Sequence, residues 1–330
     1  MTNWNVLYDR LRAQAPSLEL RRDEPMSRHT TFRVGGPVPL MALPKNIEEI
    51  NQVLSVSCLE FGVRPFFMGK GSNLLVSDRG ADLLVMKTCD GLDRLELEEE
   101  GKSWDAARPN ARTIIAGSGV SLARLSNFAL EHGLTGLEFA QGIPGSVGGG
   151  VYMNAGAYGG EMSQVVTMVS SMGMPDGERT REHLDPQFSY RHSVYQEVHS
   201  FIREVRFLLE PGDPAEIKAK MDDLAARRRE KQPLEYPSAG STFKRPPAVD
   251  GQPVYAAALI DRCGLKGLTV GGAQVSEKHA GFIVNRGGAT CKDIVELMDR
   301  VRERVFRETG VALEPEVRYL GGKEGEGWNF

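Results

Sequence analysis

The stretch that decides the fold is GIPGSVGGGVYMNAGAYGG, which spans Gly142–Gly160 and holds 8 glycines in 19 residues. Ordinary usage would give about one glycine in a stretch of this length. A second, shorter glycine segment, GKGSN, spans Gly69–Asn73 and follows the apolar run Phe66–Met68. Glycine permits positive φ and lets another group approach the backbone closely. Two such segments indicate a backbone that is built for close contact.

The common nucleotide-binding fingerprints are absent from both segments. No GxxxxGK[ST] motif occurs in the chain, and the third glycine of the dinucleotide fingerprint is replaced by Leu74 and, after Gly117–Gly119, by Leu122. Glycine-rich turns can still present successive N–H groups to an anion. Two interpretations stay open on these residues alone: tight turns, or a backbone cradle for the diphosphate of a dinucleotide. The presence of two segments favours the cradle.

Composition and charge exclude several classes of protein. The 330 residues are 41% hydrophobic and 25% charged, which is typical of a globular chain of two or three domains. With 40 basic and 44 acidic residues the net charge is -4, so we expect no nucleic-acid partner. No apolar run approaches the roughly 18 residues of a membrane span, so we expect none.

The cysteines and histidines give no sign of a metal site. The four cysteines, Cys58, Cys89, Cys263 and Cys291, are far apart and form no CxxC pair. We interpret them as buried, reduced thiols of a cytoplasmic protein, since the N-terminal segment also lacks the apolar stretch of a secretory signal. The six histidines show no zinc-binding spacing, so we expect no metal.

Local patterns predict several elements. Thr30–Val34 is interpreted as a strand that ends at a glycine pair, and Asn46–Phe61 as an amphipathic helix with Asn46 as its N-cap. Thr113–Ala116 is predicted as a strand, followed by a helix that Ser121 caps. Thr290 with Asp293 resembles a capping box before a last helix.

Breaker residues suggest three domains, with residues 1–88, 89–212 and 213–321. The tail 322–330 is assigned to none of them, although it could join the first. The cluster Pro211–Pro214 marks the second boundary and precedes a basic helix over Ala215–Lys231, with a buried face at Ile217, Met221, Leu224 and Ala225. The run Arg227–Lys231 could bind phosphate, but a solvated helix end is the favoured interpretation, because cations suit a helix C-terminus.

Three polar residues occur in separate loop-like or strand-like segments. Arg191 follows Tyr190, Ser241 lies within SAGSTFKRP, and Glu316 lies within LEPEVR. Each alone is most simply a surface or capping residue, and sequence spacing cannot bring the three together.

The combination of segments resembles one enzyme family, the UDP-N-acetylenolpyruvoylglucosamine reductases of peptidoglycan synthesis. The two glycine segments look like the family's flavin-binding segments, and the segments around Arg191, Ser241 and Glu316 look like its three catalytic segments, in the same order. Gly271–Ser276 with His279–Asn285 matches a further family segment. The resemblance runs from about Ser27 to Gly321 and is closest to the family's shorter type II form.

The resemblance implies an α+β fold. Its FAD-binding region has two parts, of the vanillyl-alcohol-oxidase/PCMH type, and a C-terminal α+β domain binds the substrate. It further implies a monomeric enzyme with noncovalent FAD, reduced by NADPH, that converts UDP-N-acetylglucosamine enolpyruvate to UDP-N-acetylmuramate. We expect flavin contacts from the two glycine segments and from one residue between them: Gly69, Lys70, Gly71, Ser72, Asn73, Leu74, Ser118, Gly142, Pro144, Gly145, Ser146, Gly148, Gly149, Asn154, Gly156 and Ala157.

The same resemblance assigns roles to the three polar residues. Arg191 and Glu316 would stabilise negative charge on the substrate carboxylate, and Ser241 would donate the proton to C2. Candidates for holding the substrate are Tyr190, Lys244, Arg245 and Gln274, although packing alone would equally explain Tyr190 and Gln274. Two rival interpretations are an oxidase of the same fold and a nucleotide-sugar-binding module without catalysis.

Overall fold

The computed structural model describes residues 2–88, 91–98, 105, 107–173, 177–182, 186–248 and 251–321. The chain forms two compact units. The first contains Met1–Arg21, Leu40–Lys70 and Leu83–Arg228, and the second contains Arg22–Pro39, Gly71–Asp82 and Arg229–Phe330. The predicted boundaries at residues 88 and 212 do not coincide with this division, and the three-domain scheme stays a prediction. Cys89 and the tail 322–330 lie outside the described residues.

Seven α-helices occur in the described part of the chain. Their bounds are α1 Trp4–Gln14, α2 Ile47–Leu54, α3 Leu122–Glu131, α4 Val147–Tyr152, α5 Pro214–Lys231, α6 Ala256–Arg262 and α7 Cys291–Thr309. A π-helical turn, Ser55–Glu60, continues α2, so a helix over most of the predicted Asn46–Phe61 span is confirmed. The predicted N-caps are confirmed as well: the Asn46 side chain accepts from the Glu49 N–H, and the Ser121 side chain from the Arg124 N–H.

The strands are mostly short. They are β1 Glu19–Pro25, β2 Pro37–Leu43, β3 Phe66–Met68, β4 Leu74–Val76, β5 Leu84–Lys87, β6 Leu95–Leu97, β7 Arg112–Gly117, β8 Leu134–Thr135, β9 Gly156–Ala157, β10 Gly160–Glu161, β11 Val166–Gly173, β12 Gly177–Glu182, β13 Ser200–Pro211, β14 Thr269–Val270, β15 Ala273–Val275, β16 Ile283–Asn285 and β17 Arg318–Leu320.

The first unit contains two hydrophobic cores. One lies between α1, α2 and a four-stranded sheet of order β1-β2-β5-β3, in which β2 and β3 run parallel to β5. The other lies between α3, α4 and an antiparallel sheet of order β12-β11-β13-β7-β6, with β8 paired to β13. Fully buried Phe207 on β13 contributes to this second core, since alternate residues of a strand face the same side.

The second unit has one core, built around α7. The helix buries Ile294, Leu297, Met298, Val301 and Val305, which recur at helical spacing, against a small sheet of order β14-β15-β16. The capping box of Thr290 and Asp293 begins the helix, as predicted, and Gly310 ends it with a φ of 71°. Beside this core, β17 pairs in parallel with β4.

The strand predicted over Thr30–Val34 is wrong. The segment is a turn in the second unit, because the Thr30 hydroxyl donates to the Val34 carbonyl at 2.8 Å and Arg33 has a φ of 57°. A threonine side chain that bonds nearby backbone competes with strand pairing, which explains the failure of a pattern based on residue type.

The structure corrects the predicted buried face of α5 as well. Ile217 and Met221 are buried, but Leu224 and Ala225 are only half-buried. Arg228 is buried instead, 9% exposed, so the favoured interpretation of this helix end as solvated fails at this residue.

The cysteine prediction is confirmed for Cys263 and Cys291, but the predicted burial is wrong for Cys58, which is only half-buried. Cys58, Cys263 and Cys291 are not in disulfides, and the last two are buried. Burial raises the pKa of the Cys263 thiol, which keeps it protonated and unreactive near neutral pH.

Candidate active site

The two glycine segments meet in the first unit. Gly69 follows β3, and a Cβ at this position would lie 2.4 Å from Ser146 Oγ, so a larger residue would require the Ser146 hydroxyl to move. Ser146 precedes α4, is buried, and makes no capping hydrogen bond with its side chain. Lys70 is exposed at the edge of this unit, while Gly71–Leu74 belong to the second unit.

Ser118, between β7 and α3, packs against Gly148, two residues after Ser146. A Cβ at Gly148 would lie 2.8 Å from the Ser118 Cβ, and the Gly148 N–H donates to the Ser118 carbonyl at 2.9 Å. Ser118 is 3% exposed, and its hydroxyl has no hydrogen-bond partner among the described residues. An unpaired buried hydroxyl costs about 1–3 kcal/mol, so this group is suited to a ligand. We call Gly69, Ser118, Ser146 and Gly148 the glycine cradle.

Asn154 makes side-chain hydrogen bonds to protein partners of the first unit. It is fully buried, and its Nδ2 donates to the Ser189 carbonyl at 2.9 Å and to Glu161 Oε1 at 3.2 Å. Its Oδ1 accepts from the Ser163 N–H at 3.0 Å. These bonds join the glycine-rich segment to the loop that carries Arg191 within the first unit, and the flavin contact expected of Asn154 stays a prediction.

Arg191 lies next to the glycine-rich segment in the first unit. Its Nη2 donates to the Gly156 carbonyl at 3.0 Å, and its guanidinium carbon lies 5.1 Å from the centre of the Tyr190 ring. Tyr190 is 43% exposed, which leaves an aromatic face in solvent beside a fixed cation. The predicted catalytic arginine and the predicted flavin-binding Gly156 are therefore in direct contact.

Ser241 and Glu316 are brought together in the second unit. The Glu316 N–H donates to the Thr242 carbonyl and the Lys244 N–H to the Glu314 carbonyl, both at 2.8 Å. Phe243 and Pro315 form the antiparallel bridge between these two hydrogen bonds. Two segments far apart in sequence thus run side by side, with Ser241 exposed and Glu316 half-buried.

Asn73, from the shorter glycine segment, supports Glu316 in the same unit. Its Nδ2 donates to the Glu316 carbonyl at 3.0 Å, and its own carbonyl accepts from the Arg318 N–H at 3.0 Å. These bonds extend the parallel pairing of β4 with β17. The second unit therefore joins three of the predicted site segments through main-chain and amide contacts.

The substrate candidates of the second unit are partly taken up by neighbours. The Lys244 ammonium group pairs with the Glu314 carboxylate, and the Arg245 guanidinium lies 5.2 Å from the centre of the Tyr255 ring. Gln274 Nε2 donates to the Gly267 carbonyl and to Thr269 Oγ1, both at 3.2 Å. Arg245, exposed over an aromatic face, is the best placed of the three for a soluble anion.

The sequence analysis assigned Arg228 to a solvated helix end and did not predict that it is buried beside the longer glycine segment. Its guanidinium donates to the Gly142 carbonyl and lies 5.7 Å from the centre of the Tyr158 ring. Burial lowers the pKa of this guanidinium, and the described residues supply no carboxylate to pair with it. Gln141 precedes Gly142, and its Oε1 is a buried atom without a hydrogen-bond partner among the described residues. Arg228 continues the helical spacing of the buried residues Ile217 and Met221. This periodicity could have predicted that Arg228 is buried.

The donor set fits a flavin dinucleotide. A Cβ at Gly69 would crowd the Ser146 hydroxyl, and the Ser118 hydroxyl in the same cradle is a buried polar atom without a partner among the described residues. No group of three or more metal-ligating side chains occurs among the described residues. In the same part of the chain, no helix is long and apolar enough to cross a membrane.

Comparisons with known proteins define the class. Residues 38–181 match the family described as "FAD binding domain", and residues 232–320 match "UDP-N-acetylenolpyruvoylglucosamine reductase, C-terminal domain". The chain is therefore an FAD-binding protein with the expected α+β fold, in which a two-part flavin-binding region is combined with a separate C-terminal domain.

Similarity over nearly the whole length identifies the family. The chain is 46% identical to a UDP-N-acetylenolpyruvoylglucosamine reductase of Agathobacter rectalis, over 93% of this chain and 96% of that protein. It is 42% identical to one of Caldanaerobacter subterraneus subsp. tengcongensis, over 96% and 99%. The crystal structure of the Thermus caldophilus enzyme aligns with a TM-score of 0.71 and 32% identity, over 92% of this chain and 98% of that one. The chain belongs to the UDP-N-acetylenolpyruvoylglucosamine reductase family and is an oxidoreductase.

Proposed function

We propose that the chain reduces UDP-N-acetylglucosamine enolpyruvate to UDP-N-acetylmuramate, with NADPH as reductant and noncovalent FAD as cofactor. Family membership supports the reaction class, and the pairing of the Ser241 segment with the Glu316 segment carries the proposal. An oxidase or a simple binding module of the same fold has no need for a serine segment and a glutamate segment held side by side. The product is a peptidoglycan precursor, so we place the enzyme in the cytoplasm, as a monomer.

The chemistry explains the need for Arg191. An enol ether is electron-rich and accepts hydride only if its conjugated carboxylate takes up the developing negative charge. A fixed guanidinium beside that carboxylate stabilises the enolate-like transition state more than the ground state. Arg191 is held by Gly156 and Tyr190, so its charge is already oriented before substrate binds.

Glu316 and Ser241 would act on the same enolate in complementary ways. A protonated Glu316 carboxyl can donate a hydrogen bond to the substrate carboxylate, which adds to the charge stabilisation by Arg191. Ser241 would deliver the proton to C2, a step open to a weak acid because the enolate is strongly basic. The antiparallel pairing holds the main chains of the two segments side by side, with Thr242 opposite Glu316 and Ser241 next to it in sequence.

The glycine cradle is where we propose that FAD is held, with Ser118 Oγ as a donor. When bound, FAD relays hydride from NADPH to C3 of the enolpyruvyl group. Arg228 and Gln141 are the nearby buried polar groups suited to the rest of the cofactor or to the anionic substrate. Among exposed groups, Tyr190, Lys244, Arg245 and Gln274 are proposed to hold the sugar nucleotide.

The proposal is tested by anaerobic absorbance spectroscopy of the purified flavoprotein. NADPH should bleach the flavin band near 450 nm (a property of free flavins), and UDP-N-acetylglucosamine enolpyruvate should restore it. Ser241→Ala should be bleached normally but reoxidised at least about 100-fold more slowly. Ser238→Ala, in the same segment, is the matched control and should behave as wild type. Wild-type protein that substrate fails to reoxidise would overturn the proposed function.

A further inference from the structure

Arg191 has a backbone conformation that arginine rarely adopts. Its φ is 56°, in the left-handed region, at the corner of a turn closed by two hydrogen bonds between Ser189 and His192, each 3.1 Å. Turn positions of this kind favour glycine or asparagine, because a side chain with a Cβ is strained there. A strained residue persists only where its surroundings hold it, and such residues concentrate at functional sites.

Gln196 holds the main chain of Arg191 directly. Its Nε2 donates to the Arg191 carbonyl and to the Tyr152 carbonyl, each at 3.0 Å. Tyr152 ends α4, which begins at the glycine cradle. One amide group therefore connects the strained residue to the helix that leads from the proposed flavin site.

Asn154 holds the other side of the turn. As described above, its amide donates to the Ser189 carbonyl, two residues before Arg191. Asn154 is itself left-handed, with a φ of 43°, a conformation that asparagine tolerates better than most residues. The side-chain amides of Gln196 and Asn154 thus donate hydrogen bonds to the Arg191 and Ser189 carbonyls of the turn, and we call these two residues the amide clamp.

The arginine side chain ends on the same segment. Its guanidinium donates to the Gly156 carbonyl, and Gly156 lies two residues after Asn154. Hydrogen bonds therefore hold both the main chain and the guanidinium group of Arg191. The main chain is held through the clamp, and the guanidinium by Gly156. A small rotation at φ would swing the guanidinium away from Gly156.

We infer that Gln196 and Asn154 are positioning residues that fix the charge of Arg191 where the substrate carboxylate develops negative charge. This rests on the proposed function, in which Arg191 acts only in the step that reoxidises the flavin. A displacement of about 1 Å can cost about 100-fold in rate, so loss of the clamp is expected to slow that step about 10- to 100-fold. Reduction of the flavin by NADPH does not need this charge and should change less than about 3-fold.

A purely structural role would give a different result. Loss of a buried hydrogen bond would lower the melting temperature and the flavin content, and it would leave the rates per bound flavin unchanged. Ser193 provides the matched control, because its Oγ donates to the same Tyr152 carbonyl at 2.8 Å and it is buried in the same loop. Ser193→Ala should therefore lower stability without slowing reoxidation.

The experiment is stopped-flow measurement of both half-reactions for wild type, Gln196→Met and Ser193→Ala, each loaded with FAD. Gln196→Met is also made in an Arg191→Ala background. We expect selective slowing of reoxidation in Gln196→Met and no further slowing when Arg191 is absent, because residues that act as a unit are not additive. If Gln196→Met yields no flavin-bound protein, Gln196→Glu is measured instead.

The outcomes separate the inference from the proposed function. Wild-type protein that substrate reoxidises supports the function, whatever the variants do. Given that result, equal slowing of both half-reactions, or an undiminished effect of Gln196→Met in the Arg191→Ala background, would overturn the positioning role. Wild-type protein that substrate does not reoxidise removes the function, and the inference falls with it.

Discussion

The loop that carries Arg191 in the first unit and the paired segments that carry Ser241 and Glu316 in the second hold their polar groups by different means. The first relies on side chains: the amide clamp, a left-handed arginine and a glycine-rich partner segment. The second relies on main-chain hydrogen bonds, with the Ser241 and Glu316 side chains left out of the pairing itself. Side-chain substitutions should therefore disturb geometry in the first region and only chemistry in the second.

The largest effect that follows from this contrast is expected at Glu316. Glu316→Gln keeps the size of the side chain and the backbone pairing but replaces the proposed carboxyl O–H donor with an amide N–H, a much weaker acid that stabilises the developing negative charge less. Flavin reoxidation by substrate should slow by about 100-fold or more, a usual range for loss of a positioned acid, while melting temperature and FAD content stay unchanged. Stopped-flow absorbance and thermal unfolding measure these quantities.

Glu314→Gln is the matched control for this prediction. Glu314 lies in the same strand-like segment, is exposed, and pairs with the Lys244 ammonium group. Its loss should change reoxidation by less than about 3-fold, as expected for an exposed ion pair. If Glu316→Gln unfolds the second unit, the proposed contrast between the two regions is wrong.

A smaller effect is expected at Ser118, where a substitution should raise the stability of the FAD-free protein and lower its affinity for FAD. Ser118→Ala removes a buried hydroxyl that has no partner among the described residues, so the FAD-free protein should become more stable, by about 1 kcal/mol. FAD affinity should fall about 10-fold, because the cofactor loses a hydrogen bond. Chemical unfolding of the FAD-free protein and flavin titration give the two values.

Ser126 offers the control for Ser118. It is also a buried serine of the first unit, but its Oγ donates to the Leu137 carbonyl at 2.9 Å. Ser126→Ala should therefore lower stability and leave FAD affinity unchanged. A Ser118→Ala protein that loses stability in the same way would show that its hydroxyl has a partner in the protein and is not reserved for a ligand.

The sequence predicted best what local chemistry determines. The caps at Asn46, Ser121 and Thr290 depend on residues three positions apart, and all three are confirmed. The strand at Thr30–Val34 failed because a hydroxyl bonded to the local backbone, which no count of strand-forming residues detects. Arg228 was missed because the helical periodicity was applied to apolar residues alone, although a charged residue occupied the next buried position.

The site itself was beyond derivation from local pattern. Nothing in the spacing of Asn73, Ser241 and Glu316 predicts that they meet, since long-range pairing depends on the whole unit. Family resemblance supplied those residues, and the second unit brings them together. Neither local sequence pattern nor family resemblance predicted the amide clamp. An asparagine and a glutamine can have many roles, and this one becomes apparent only when the loop geometry is known.

The smallest expected effect tests the scaffold of the second unit without touching its chemistry. Burial raises the pKa of Asp293, but hydrogen bonds from the Thr290 backbone and hydroxyl outweigh it, so the pKa is lowered overall. A lowered folded-state pKa gives stability that is present above the unfolded value near 4 and lost as pH falls through the folded value. Asp293→Asn should cost about 0.5 kcal/mol at pH 7 and flatten the acid side of the stability profile.

Asp299→Asn, on the same helix, is the control for that test. Asp299 pairs with Arg302 at 3.2 Å, half-exposed and well inside the helix, so its loss should change stability by at most a few tenths of a kcal/mol. Both variants should keep wild-type reoxidation rates, because neither residue takes part in the pairing of Ser241 with Glu316. Slowed reoxidation in Asp293→Asn would mean that the helix cap and the catalytic pair are coupled. The Gly272 N–H, which donates to Asp293 at 3.3 Å, would then be the first contact to examine, since it begins the segment that carries Gln274.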